Sequence, residues 1–134
     1  MDHVAIMSKR FGDLIAKIFS GEKKIESRWS INKIAPWGRV KRGDAVYFKN
    51  SGGPVIAMAS VSKVLQFENL NHIKVREILN KWPLVDYEWA KNKSYCVLIW
   101  LKNPKKVRPF KINKSGFGSA AAWLSDFKIS GAGH

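Results

Sequence analysis

"VIAMASVSKVLQF", residues 55–67, is the stretch on which the fold turns. It is long and rich in β-branched residues, yet Ala57, Ala59, Ser60 and Ser62 are small, as expected of a strand that bends across a crowded barrel interior. Immediately before it, "SGGP" reverses the chain, and before that "AVYFKN" (45–50) reads as a strand opened by the Gly43-Asp44 turn. Immediately after it, Asn69 or Asn71 can cap "HIKVREILNKW", whose Val75, Ile78, Leu79 and Trp82 form one apolar helix face before Pro83 ends it.

Working outward, "DHVAIM" (2–7) predicts a first strand, and Phe11, Leu14, Ile15, Ile18 and Phe19 recur at helical spacing up to Gly21. "KKIESRW" predicts a strand with Lys24, Glu26 and Arg28 on one face and Ile25 and Ser27 on the other. "INKIAPWGRVKRG" is a loop broken by Pro36 and Gly38, and "DYEWAKNK" is a turn or short helix. "SYCVLIWL" predicts a strand buried on both faces, "KVRPFKI" a separate edge strand that tolerates Pro109, and the residues around Trp123 a short helix. Short strands dominate and helices are inserted without regular alternation. The expected class is therefore α+β, built on a β-barrel rather than on a doubly wound parallel sheet. The whole chain, 1–134, reads as a single domain with a disordered tail at 130–134.

The charge is lopsided. Twenty-four Lys and Arg against ten Asp and Glu give +14 over 134 residues, a self-repulsion that solubility alone does not require and that points to a polyanionic partner: RNA first, DNA as an alternative. From Lys91 to Leu124 there are eight basic residues and no acid, which predicts a basic face. Cys96 is the one cysteine and lies within an apolar run, so an intrachain disulfide is excluded and a buried thiol in a reducing compartment is expected. No apolar run approaches the roughly 18 to 20 residues of a membrane span, so no membrane partner and a cytoplasmic location are expected. His3, His72 and His134 are scattered, so neither a metal site nor a Ser-His-Asp triad has a local signature, and no cofactor is expected. The oligomeric state is left open.

Gly21, Glu22, Lys23, Lys24 and Arg28 are similar to a glycine-x-lysine-threonine element with an arginine five residues after the lysine, and Gly43-Asp44 matches a second, turn element. In order and spacing over residues 3–127, the chain resembles the ASCH family of the PUA-like superfamily. The resemblance implies a barrel of five or six strands with two or three inserted helices and a cleft beside the helix-to-strand turn that takes RNA or a modified nucleoside. One branch of that family resembles an amidohydrolase on acetylated cytidine, and another relative is described as a metal-dependent ribonuclease. In the amidohydrolase branch the threonine nucleophile lies three residues after the lysine and a glutamate comes from the following helix. Here Glu26 occupies the nucleophile's position and Lys24 that of the threonine after the lysine, while Glu77 is the nearest helix glutamate. A carboxylate does not reproduce that hydroxyl chemistry.

Three functions therefore stand side by side: RNA binding, hydrolysis of RNA or of an acylated nucleoside, and docking on a protein of an RNA-related assembly. For hydrolysis, Lys23 and Glu26 are the candidate catalytic pair, because a lysine and a carboxylate in a cleft shift each other's proton affinity. The alternative is an orienting ion pair in which Glu26 holds Arg28 toward a phosphate. For binding, the candidates are Lys23, Arg28, Trp29, Trp37, Arg39, Lys49, Ser51, Gly52, Lys114 and Ser115. Trp37 lies in a basic loop where an exposed ring would stack on a base. "YFKNSGGP" and "NKSGFGS" each follow a lysine with serine and glycine, whose backbone N–H groups suit an oxyanion, although neither has the spacing of a P-loop. The corner carrying Lys23 and Arg28 is expected to open, together with Lys49, into one positively charged hollow.

Overall fold

The computed structural model describes residues 1–9, 12–114, 117 and 121–127. The predicted 130–134 tail, Phe11, Ser115 and Gly116 lie outside the described residues. The order of elements is β1 (Asp2–Met7), α1 (Leu14–Ser20), β2 (Ile25–Ser30), β3 (Ala45–Asn50), β4 (Val55–Phe67), α2 (His72–Lys81), α3 (Tyr87–Ala90), β5 (Tyr95–Phe110) and β6 (Trp123–Leu124). The strands form one mixed sheet in the order β2-β5-β4-β3-β1-β6, parallel only between β1 and β3, and it curls into a half-barrel. This is the α+β barrel class expected from the sequence.

Strand β4 curls the sheet. Ala57, Ala59 and Val61 face the barrel interior with Val46, Phe48, Val97 and Ile99. A register shift between Val61 and Lys63 then changes the parity, so that Val64 packs on the interior while Leu65 and Phe67 pack on the outer layer. In β5 the alternation is regular: Val97 and Ile99 point inward, while Cys96 and Leu98 point outward against Trp29, Val75 and Ile78. Burial on both faces is why this strand reads as a continuous apolar run. It also seals Cys96, whose thiol burial pushes well above its ordinary pKa.

The helices begin and end as their sequences dictate. Asp13 caps α1 by accepting from the Ala16 N–H at 3.0 Å, and Asn71 caps α2 by accepting from the Lys74 N–H at 2.8 Å. Gly21 ends α1 with φ at 81°, a left-handed conformation that costs glycine least, and its N–H donates to Ile18 O. No described helix is long and apolar enough to cross a membrane.

Two expectations are corrected. "KVRPFKI" is not a separate strand, because β5 runs unbroken to Phe110 through Asn103, at φ 52°, and Pro104. The prolines are accommodated because β2 pairs only with residues 95–100, leaving the rest of that edge without a strand partner. The segment around Trp123 is a two-residue strand on β1, not a helix: Trp123 fills the barrel while Leu124 joins Val4 and Val55 outside it, an alternation only a strand supplies.

Candidate nucleic-acid interface

The sheet edges β2 and β6 face each other across an open seam, and Arg28 spans it. Its Nε–H donates to Glu26 Oε1 at 3.1 Å, one Nη1–H to Ala122 O at 3.4 Å, and Nη2 to Ile6 O and Met7 Sδ, both at 3.4 Å. The guanidinium lies 5.3 Å from the centre of the Trp123 ring. Four of its five N–H groups are thus committed, and one on Nη1 has no partner among the described residues.

Glu26 is the centre of this cluster. Only 5% exposed, it binds Arg28 through Oε1 while the Lys23 ammonium stands 3.5 Å from Oε2. Lys23 donates instead to Ile25 O at 2.9 Å, and Glu26 Oε2 has no hydrogen-bond partner among the described residues. The acid in the densest cationic stretch therefore answers two cations at once, since a buried charge without compensation costs several kcal/mol, of order.

Above the seam lies a cleft of about 870 Å³, with Arg28, Trp29, Pro36, Arg39, Phe117 and Trp123 among its walls. Trp29 lines the cleft but is only 7% exposed, and its indole N–H is held by Ser27 Oγ at 3.1 Å, so little of its ring is open to a base. Arg39 is exposed at the mouth, and the Phe117 ring is 38% exposed. The sequence signal for Phe117 is an aromatic between two glycines in "NKSGFGS", a stretch whose lysine, serine and glycine point to an oxyanion rather than to a base.

Behind Trp123 is a polar chain that sequence spacing does not show. The Trp123 indole N–H donates to His3 Nδ1 at 3.2 Å; because an indole only donates, the His3 proton sits on Nε2, which donates to Asp44 Oδ2 at 2.8 Å. Ser125 Oγ lies 3.3 Å from the same Nδ1. The set has the composition of a Ser-His-Asp triad, but Trp123 already occupies the nitrogen that would act as base, so it works as a hub tying β6 to β1 and the Asp44 turn. Burial raises the Asp44 pKa, but hydrogen bonds from His3 and the Lys41 N–H, with the N-terminal ammonium, hold it below 3.8.

The remaining candidates lie elsewhere. Trp37 does not line the cleft: its ring packs edge-on against Tyr95, centroids 5.2 Å apart, beneath Lys33. In the β3–β4 turn, Ser51 N–H donates to Met7 O and Gly53 N–H to Asn50 O, while the Gly52 N–H, at φ 79°, has no backbone partner among the described residues. Lys49 is 8% exposed, and its ammonium is pulled below the usual 10.5 by burial and by Lys114. It makes no hydrogen bond or ion pair with another described residue. Arg28, Trp29 and Arg39 thus share the cleft, whereas Lys23 turns onto Glu26 and Lys49 lies with Lys114, so the expected single hollow is two places.

No family model and no curated protein matches the chain. Among solved structures it is similar to the crystal structure of ASCH from Zymomonas mobilis, at 14% identity over 95% of this chain and 88% of that one, with a TM-score of 0.65. A tyrosine-to-phenylalanine variant of that protein aligns at 14% identity, 95% and 91% coverage and a TM-score of 0.64; a serine-to-alanine variant aligns at 15%, 95% and 89%, and 0.66. At such identities the likeness is one of fold, and this chain folds as an ASCH domain.

Proposed function

With the ASCH fold as premise, we propose that the protein binds single-stranded RNA and seats one nucleotide, plain or modified, in the seam cleft. The observation that carries this is the wall itself: a clamped Arg28 with one N–H unpartnered among the described residues, an exposed Arg39 and an exposed Phe117 ring around a volume within the range of small-ligand sites. Phe117 supplies a stacking face, Arg39 a phosphate contact, and the fixed Arg28 N–H a directional donor to a base edge. The buried, uncompensated Lys49 beside Lys114 and the Gly52 N–H form a second place suited to a phosphate.

Binding is favoured over turnover because neither Lys23 nor Glu26 lines the cleft and Glu26 is engaged by Arg28 as well as by Lys23. Fluorescence anisotropy with short single-stranded RNA tests the proposal. Affinity should fall as salt rises, with a log-log slope of about 0.7 per phosphate contact, and Arg39→Ala should weaken binding by about 1 to 2 kcal/mol. Salt-independent binding, or full affinity in Arg39→Ala, overturns it. Multiple-turnover loss of an acylated nucleoside or cleavage of the RNA would replace it with the hydrolase reading.

A further inference from the structure

We infer that the free edge of β5, from Lys102 to Arg108 and on to Lys111, is a second nucleic-acid surface that tracks the phosphate backbone of an RNA strand extending beyond the cleft. The inference rests on the reading of the protein as an RNA binder, not on which nucleotide the cleft takes.

The last backbone bond on the β2 side of β5 is from Leu101 N–H to Lys24 O, at 2.9 Å. Beyond it, β4 is the only strand paired with β5 among the described residues, and from α1 the Phe19 ring lies 5.9 Å from the Lys106 ammonium. Lys102, Lys105, Lys106, Arg108 and Lys111 are all exposed there, with no acid between them in the chain. Across the ladder stand Ser60, Met58 and Ala57, opposite Lys102, Lys105 and Lys106, so no carboxylate answers them from β4. None of the five forms an ion pair among the described residues.

Lysines on a free edge commonly serve to block strand-to-strand aggregation. Here Pro104 and Pro109 already interrupt the edge, and one or two charges would complete that protection. Five cations over a span of about 30 Å exceed it, and their mutual repulsion is the feature a polyanion would relieve. The edge is also held in place, because Val107 and Phe110 of the same segment pack with Val4, Val55 and Leu124, and Phe110 meets Tyr47 edge-on at 6.2 Å. The edge's own aromatic side chain, Phe110, turns inward and the nearby Phe19 ring lies under the Lys106 ammonium, so the edge presents charge foremost and suits phosphates rather than bases. Val97, five residues before Lys102 on the same strand, lines the cleft, so one strand joins the two surfaces at a separation of about 17 Å.

The test compares wild type with the variant K102Q/K105Q/K106Q/R108Q by anisotropy, using single-stranded RNA of about 5 and about 20 nucleotides over a salt series. The long RNA should lose at least about tenfold in affinity and its salt slope should drop by about 2 to 3, while the short RNA stays within about twofold. Should the quadruple variant fold poorly, the pairs K102Q/K105Q and K106Q/R108Q should each remove about half of the slope change. Unchanged long-RNA binding overturns the inference and leaves the cleft reading intact; an equal loss on both lengths overturns it by placing the effect at the cleft. Loss of binding to phosphatidylserine vesicles without loss on RNA overturns it in favour of a membrane surface. If wild type binds neither RNA, both readings fall.

Discussion

Two clusters of cations in this molecule differ in one respect. At the seam, Lys23 and Arg28 converge on the buried carboxylate of Glu26. Elsewhere, Lys49 stands near Lys114, 8% exposed and with no acid to balance it among the described residues. The first cluster is organised around its own acid and acts on the protein's architecture, closing the gap between β2 and β6. In the second, the buried Lys49 charge meets no acid among the described residues, and a bound anion would balance it. Counting lysines and arginines does not separate the two; asking which cations an acid answers does.

Removing the answering acid should have the largest effect. Glu26→Ala leaves two partly buried cations facing each other, and chemical denaturation should show a loss of about 3 kcal/mol. A loss below about 1 kcal/mol would mean that the seam cluster is no more structural than a surface pair. Arg28→Lys keeps the charge but not the planar fork that reaches Ile6 O and Ala122 O; it should cost about 1 to 2 kcal/mol and speed hydrogen exchange at β6.

At the other cluster the sign reverses. Lys49→Met removes a buried charge that no described acid balances, and it should stabilise the free protein by about 1 kcal/mol near neutral pH while weakening RNA binding. The pH dependence is specific. Because the folded-state pKa of Lys49 lies below 10.5, the unfolded chain binds more protons between the two values, so wild-type stability rises with pH through that window. The advantage of the variant should therefore shrink as pH approaches 10.5. A constant advantage from neutral to alkaline pH would remove the charge argument. Smallest of all, Lys33→Ala removes the exposed pair with Glu68 and long cation–ring contacts with Trp37 and Tyr95, and should move stability by no more than about 1 kcal/mol.

Much of this was legible before folding. The small residues of 55–67, the caps at Asn71 and Gly21, the two-sided burial of 95–100 and the partition of Glu26 and Arg28 from Ile25 follow from local periodicity and turn chemistry, which a linear sequence records. The site was legible only in part. Trp37 and Phe117 are both loop aromatics followed by glycine; one packs edge-on against Tyr95, while the other leans on Phe127 and stays 38% exposed at the cleft, partners that local spacing does not reveal.

By itself, then, the sequence determined an α+β barrel, a strongly basic surface and the identity of the side chains at the helix-to-sheet corner. Tertiary structure alone decided which cations are answered and which are not. Glu26 and Lys49 are each set in strands whose local pattern is clear, but Glu26 meets Arg28, itself held by Met7 and Trp123, whereas Lys49 meets the like charge of Lys114, and both outcomes come from the curl of the sheet. Electrostatic compensation is a property of distance in space and of exclusion from water, and neither is fixed until the two edges of the half-barrel meet.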